Sequence, residues 1–245
     1  MKNSYVVVIP ARMASTRLPE KPLIDILGKS LIQRTYEQCI KVIPKDKVYI
    51  ATDSVKIQLH CQKLGMKVIM TSSNCLTGTD RVAELATQIE ADYYINVQGD
   101  EPIINPDDII KIANSIDQFP GEVINGYASI DDENSYRSLT IPKVVFRPDG
   151  RLLYMSRSSI PGNKANVFQK SWKQVCIYAF PKLALEQFAN LKHKTNLENE
   201  EDIEILRFLE MGYEVRMVPL SKDSIAVDTP EDVEKVLQIL LKDEK

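Results

Sequence analysis

The chain has 245 residues, a formal net charge of −3, 44% hydrophobic and 27% charged residues, which is ordinary globular composition. That length holds one generous α/β domain or one and a half average domains, with a core large enough to need no covalent staples. Mild acidity excludes a general nucleic-acid binder, which needs a basic face, but leaves room for a local basic pocket around a nucleotide.

The elements follow in chain order from residue patterning. Residues 5–9, Tyr-Val-Val-Val-Ile, read as a buried strand. Residues 31–42 carry apolar side chains at helical spacing, 48–51 form a second strand, 55–64 a helix and 67–70 a third strand. A helix is expected over 79–89, a fourth strand over 93–97, and a helix over 106–116, where proline and acids fill the first turn. The second half is less regular. Strands are expected at 123–130, 143–146, 152–155 and 174–180, with Pro148-Asp149-Gly150 as a turn. A helix over 200–210 ends at Gly212. A strand at 214–218 and a helix over 229–241 close the chain. The stretches 131–142 and 159–173 read as loops. Strand–helix alternation of this kind predicts a parallel sheet covered by helices on both faces, here one domain over 1–245 with an inserted subregion at about 120–180.

Cys39, Cys61, Cys75 and Cys176 are scattered, and with only His60 and His193 beside them no zinc cluster is readable. Scattered single cysteines suit a reducing cytosol. The apolar run at 6–9 is too short for a signal peptide or a membrane span, and no run of about 18 apolar residues occurs. The expectation is a soluble cytoplasmic protein with neither membrane nor nucleic acid as partner.

Four segments carry candidate chemistry. Strand one runs into Pro10-Ala11-Arg12-Met13-Ala14-Ser15-Thr16-Arg17-Leu18-Pro19-Glu20-Lys21-Pro22-Leu23. In a parallel sheet, ligands bind beyond the carboxyl ends of strands, so Arg12, Arg17 and Lys21 offer three cations for a polyphosphate. The loop is neither GxxxxGK[ST] nor GxGxxG, which argues against a P-loop or dinucleotide site; an ordinary basic surface loop is the local alternative. Asn96-Val97-Gln98-Gly99-Asp100-Glu101-Pro102 places Asp100 at the same sheet edge. A carboxylate facing a polyphosphate is repulsive unless a divalent cation lies between them, and oxygen ligands favour Mg²⁺; a loop-capping acid is the alternative. Asp228 precedes Thr229-Pro230-Glu231-Asp232, where its alternative role is to cap the last helix. Thr77-Gly78-Thr79-Asp80-Arg81 opens a helix whose glycine allows close approach to a ligand, or simply caps it.

Taken together these segments resemble the 3-deoxy-manno-octulosonate cytidylyltransferases. The resemblance runs along nearly the whole chain through PARMASTRLPEKPL (10–23), ATDS (51–54), TGTDRVAE (77–84), NVQGDEP (96–102), PKVVF (142–146), MSRSSIP (155–161), IYAF (177–180) and AVDTPEDVEKV (226–236). It implies a nucleotidyltransferase-type, mostly parallel α/β sheet flanked by helices, with an inserted dimerisation subregion and hence a homodimer. It implies that Arg12, Ser15, Arg17 and Lys21 hold the CTP triphosphate, that Ala11, Thr79, Arg81 and Gln98 contact the nucleotide, and that Asp100 and Asp228 hold Mg²⁺. Lys143, Arg157, Gln174, Tyr178, Glu201 and Glu204 would line the sugar-acid side. Arg12, Lys21, Asp100 and Asp228 would carry catalysis.

The implied reaction is attack of the anomeric hydroxyl of a 2-keto-3-deoxy sugar acid on the α-phosphorus of CTP, with pyrophosphate leaving, for lipopolysaccharide or surface polysaccharide synthesis. Three departures fall on the sugar side. The family's Arg-His-Leu-Gly-Ile-Tyr is here Lys173-Gln174-Val175-Cys176-Ile177-Tyr178, Ile205 replaces a glutamine, and the loop 161–173 is short. A related sugar acid, such as an 8-amino variant or a nonulosonate, is therefore an alternative substrate, and a non-catalytic nucleotide-binding protein an alternative class. The acids Glu198, Glu200, Glu201, Asp202 and Glu204 read as a solvated helix face, with recognition of an amine-bearing substrate as the alternative.

Overall fold

The computed structural model describes residues 2–13 and 18–243. The chain enters through β1 (Tyr5–Ala11), buried along all seven residues. Val7 and Ile9 face one helical layer while Val6 and Val8 face the other, as expected of a strand covered on both sides. A 3-10 turn at Lys21–Leu23 and the short strands β2 (Asp25–Ile26) and β3 (Lys29–Ser30) lead to α1 (Leu31–Ile40), which Ser30 caps by accepting from the Gln33 N–H. There follow β4 (Val48–Thr52), α2 (Val55–Lys63), β5 (Lys67–Met70), α3 (Gly78–Ala86), β6 (Tyr93–Val97) and α4 (Pro106–Gln118). The second half adds β7 (Val123–Ile130), α5 (Glu133–Arg137), β8 (Lys143–Phe146), β9 (Leu152–Ser156), β10 (Ser171–Pro181), α6 (Lys182–Asn190), α7 (Asn196–Glu201), α8 (Ile205–Glu210), β11 (Val215–Pro219) and α9 (Pro230–Asp243).

The main sheet runs β11-β7-β10-β6-β1-β4-β5. All neighbours are parallel except β10, which is antiparallel to both β6 and β7. Helices α1, α2 and α4 pack on one face and α3, α6 and α8 on the other. The 120–180 stretch divides between two places: β7 and β10 lie inside the main sheet, while the β8–β9 hairpin joins it through the pairing of Lys143 with Lys173. The register of β10 shifts between Val175 and Tyr178. Fully buried Asn125 accommodates the shift by donating its amide to the carbonyls of Val175 (3.0 Å) and Ile177 (2.9 Å), so backbone groups that lose ladder partners keep bonded ones.

Several elements differ from the sequence expectation. The stretch 131–142, read as a loop, holds α5, and β10 begins at Ser171, inside the other stretch read as a loop. Residues 182–190, where the sequence reading places no helix, form α6. The single helix expected over 200–210 is broken: α7 ends at Glu201, Asp202 takes a left-handed conformation (φ 50°), and α8 begins at Ile205. The acidic face expected to be solvated is mostly committed. Glu198 is fully buried and pairs bidentately with Arg207 (2.5 and 2.6 Å), which also reaches Asp80 at 3.1 Å. Glu201 and Glu204 turn inward to other partners, described below; Glu200 and Asp202 remain exposed. Among the described residues, no helix is long and apolar enough to cross a membrane.

Candidate active site

The site forms where the carboxyl ends of β1 and β6 lie side by side. Their pairing, Val8 with Asn96, places Ala11-Arg12 beside Gln98-Gly99-Asp100. The approach is close: a Cβ on Gly99 would stand 2.7 Å from the Pro10 carbonyl oxygen, and one on Gly78 3.3 Å from Gln98 Nε2. Glycine at both positions lets the α3 N-terminus and the two strand ends close around one cleft of about 670 Å³. Ala11, Arg12, Lys21, Gln98, Asp100, Arg81, Glu204 and Asp228 line it, with Lys194 and Asp202 on the wall.

At the floor, Lys21 Nζ lies 2.6 Å from Asp100 Oδ2 and 3.1 Å from Asp228 Oδ1. Burial opposes the charge on Lys21, but Asp100 first and Asp228 next outweigh it, so the ammonium pKa sits above its ordinary value. At the start of the last helix Thr229 and Asp232 bond reciprocally: Thr229 Oγ1 accepts from the Asp232 N–H (3.4 Å), and the Asp232 carboxylate accepts from the Thr229 and Asp228 N–H groups (3.1 and 3.3 Å), while Asp228 Oδ1 faces Lys21. Two carboxylates gathered on one positive centre are hard oxygen donors in the number Mg²⁺ commonly takes from a protein. The pair thus fits the ion, although no larger cluster of metal-binding side chains is gathered among the described residues. The neighbouring Glu101 is 4% exposed. Burial, and after it the Asp100 charge, push its carboxyl up to about 7.

The nucleotide-side residues divide. Arg81, 2% exposed, donates to Asp53 (3.0 Å) and to Thr71 Oγ1, so it braces the 71–77 loop while reaching the cleft wall. Thr79 is buried, and its N–H donates to Glu204 at 2.9 Å. Ser15 and Arg17 lie outside the described residues. Arg12 is exposed on the cleft wall.

Of the sugar-side residues, only Glu204 lines the cleft. Its carboxylate accepts from the Gly78 and Thr79 N–H groups (3.2 and 2.9 Å) at the positive end of α3; burial nonetheless raises its pKa above the ordinary value. Lys143 is fully buried and donates to the carbonyls of Ser138 (2.7 Å), Ile141 (2.7 Å) and Arg157. Its three N–H donors are thereby used on backbone, and it does not reach the cleft. Arg157 donates to the carbonyls of Glu201 (2.6 Å), Leu139 (3.1 Å) and Asp202 (2.9 Å). The Glu201 carboxylate accepts from Tyr154, Ser156 and the Arg157 N–H. These residues join the 138–141 loop, the end of β9 and the Asp202 turn into one unit, which presents Asp202 to the cleft. Gln174 donates to Asn125 at 3.0 Å, and Tyr178 is buried with its ring 5.6 Å from Phe180. Ile205 is fully buried in the apolar cluster of α3 and α6, so that departure from the family pattern falls in the core.

Sequence reasoning missed Lys194, and it named Asp202 only within the acidic cluster without placing it at the cleft; the two pair at 2.6 Å. Both sit where the expected 200–210 helix is interrupted or has not begun, and no motif marks them.

A mostly parallel sheet with a cationic and dicarboxylate cleft at its strand ends is the architecture of a nucleotidyltransferase. The cytidylyltransferase family model matches residues 6–220, and the chain belongs to that family. A 3-deoxy-manno-octulosonate cytidylyltransferase of Chloroherpeton thalassium is 41% identical over 244 residues, covering 97% of this chain and 98% of the relative. One of Protochlamydia amoebophila is 37% identical, covering 99% and 96%. A solved CMP:2-keto-3-deoxy-manno-octonic acid synthetase complexed with CTP superposes with a TM-score of 0.91 at 35% identity, covering 98% of this chain and 99% of that one.

Proposed function

We propose that this chain is a Mg²⁺-dependent cytidylyltransferase that joins CTP to 3-deoxy-D-manno-octulosonate, giving the CMP-sugar and pyrophosphate. The observation that carries the reading is the convergence of Asp100 and Asp228 on Lys21 at the floor of a cleft walled by Arg12, Arg81 and Gln98. The names of the relatives and the CTP complex of the solved homologue support it.

The reaction sets an anionic triphosphate against a sugar carboxylate, so the site must gather positive charge. Arg12 and Lys21 supply fixed cations toward the departing pyrophosphate, where charge grows in the transition state. Asp100 and Asp228 would hold the Mg²⁺, which when bound supplies screening of the phosphate charge and acidification of the attacking hydroxyl. Gln98 and the α3 N-terminus orient the nucleotide, and placing two anions in line lowers the barrier further. No side-chain nucleophile is needed.

A homodimer, a cytoplasmic location and a role in lipopolysaccharide or surface polysaccharide synthesis belong to the same proposal. Support for pairing comes from two exposed leucines, Leu153 on β9 (55%) and Leu139 on the 138–141 loop (67%). The test is pyrophosphate release from CTP, UTP, GTP and ATP with Mg²⁺ and a panel holding 3-deoxy-D-manno-octulosonate, its 8-amino analogue and a nonulosonate. Turnover confined to CTP with 3-deoxy-D-manno-octulosonate is expected. Release without preference for CTP overturns the nucleotide assignment, and preference for another acid overturns the sugar assignment.

A further inference from the structure

The connection between β11 and α9, residues 220–229, has no regular secondary structure, yet it brings Asp228 to within 3.1 Å of the Lys21 ammonium. The Leu220 N–H donates to the Tyr127 carbonyl at 2.8 Å, Lys173 donates to the Lys222 carbonyl at 3.3 Å and Lys222 pairs with Asp131. Three further attachments come from residues 100–108. Ser221 donates its N–H (2.9 Å) and its hydroxyl to Asp108 Oδ2. Ser224 donates its hydroxyl to Glu101 Oε2. The Val227 N–H donates to the Asp100 carbonyl at 2.9 Å, while the Val227 side chain is fully buried beside Ile26 and Leu31.

Asp108 and Glu101 are 1% and 4% exposed, and neither lines the cleft. Burying a carboxylate is costly unless it is paired and hydrogen-bonded, so the partners of these two acids matter. Helix capping does not explain Asp108, because Asn105 already caps α4 by accepting from the Asp107 N–H. Lys111 takes the other Asp108 oxygen at 3.0 Å. What both acids share is a grip on a serine of the same irregular connection.

We propose that Asp108 and Glu101 are positioning residues which, by gripping Ser221 and Ser224, fix the path of the 220–228 connection and hold Asp228 where it shares a divalent cation with Asp100. The proposal rests on the reading of those two aspartates as the cation pair. Without the grips, the stretch between the Lys222 and Val227 attachments is left to be ordered at the moment of binding, and that entropy is subtracted from affinity.

The test uses Ser221→Ala, Ser224→Ala and their combination in the full chain, with Ser224→Thr to restore the hydroxyl and Asp228→Asn as reference. Mn²⁺ binding is followed by electron paramagnetic resonance without nucleotide, and the Mg²⁺ dependence of the initial rate at saturating CTP. Loss of one hydrogen bond to a buried carboxylate is expected to weaken Mn²⁺ binding and raise the half-saturating Mg²⁺ by about tenfold. The double variant weakens further, kcat at saturating Mg²⁺ stays within about twofold, and Ser224→Thr returns to the parent value. Folded alanine variants with parental Mn²⁺ affinity, beside a weakened Asp228→Asn, overturn the clamp alone. Parental affinity in Asp228→Asn overturns the two-aspartate reading, and the clamp with it.

Discussion

The backbone carbonyl of Asp100 accepts a hydrogen bond from the N–H of Val227 at 2.9 Å, so the two candidate ion-holding aspartates are tied through main chain as well as through Lys21. One lies at the end of a central strand and the other just before the last helix. Their meeting is a product of tertiary structure, and the cleft depends on it.

Asp100→Asn and Asp228→Asn each remove one of the charges that raise the Lys21 pKa. Turnover is expected to fall by about two to three orders of magnitude, the scale of losing one preorganised electrostatic group. Steady-state rates together with far-ultraviolet circular dichroism check this: the folded spectrum persists while the rate falls. A rate within a few-fold of the parent removes the residue from the catalytic set.

Gly99→Ala places a methyl 2.7 Å from the Pro10 carbonyl oxygen. Backbone must shift on both strand ends, at a cost of about 1–3 kcal/mol. Urea denaturation measures the loss, and the KM for CTP rises because the shifted backbone carries Gln98 and Asp100.

Lys143→Met keeps the volume but strips the part-buried carbonyls of Ser138, Ile141 and Arg157 of their shared donor. A stability loss of about 2–4 kcal/mol is expected from leaving such groups unpaired. Because Arg157 is bonded to the Asp202 turn, the KM for the sugar acid rises more than that for CTP. Equal rises, or no stability loss, contradict the bracing role.

The Glu204 carboxyl is held above its ordinary pKa by burial. The folded chain therefore keeps a proton that the unfolded chain gives up as pH passes about 4.3. Between that pH and the higher folded value, the unfolded state binds fewer protons, and this group makes stability fall as pH rises. Chemical denaturation of the parent and of Glu204→Gln at a series of pH values from 4 upward isolates the contribution. The slope due to Glu204 disappears in the glutamine variant; an unchanged slope assigns it to other groups.

Local signals made much of the fold legible. The β-branched runs at 5–9 and 93–97, and the proline with acids at Pro106-Asp107-Asp108, mark elements that the structure places within a residue or two. The loops after β1 and β6 were legible as a site because a parallel sheet brings strand ends together. Tertiary bonds settled what was not legible. Glu198, Glu201 and Glu204 look like a solvated acidic stripe until Arg207, Ser156 and the α3 N-terminus supply partners. Lys143 looks like a ligand for an anionic sugar until three carbonyls enclose it. The reversal of β10 depends on Asn125 absorbing a register shift from a neighbouring strand, which no pattern within β10 encodes.

The last strand of the sheet ends at Pro219, and Asp228 follows it. A chain cut between Pro219 and Asp228 keeps every strand of the described sheet, yet lacks one of the two acidic arms proposed to hold the cation. On that proposal, such a fragment would retain the scaffold of the cleft while losing the half of the ion's seat that the scaffold alone does not provide.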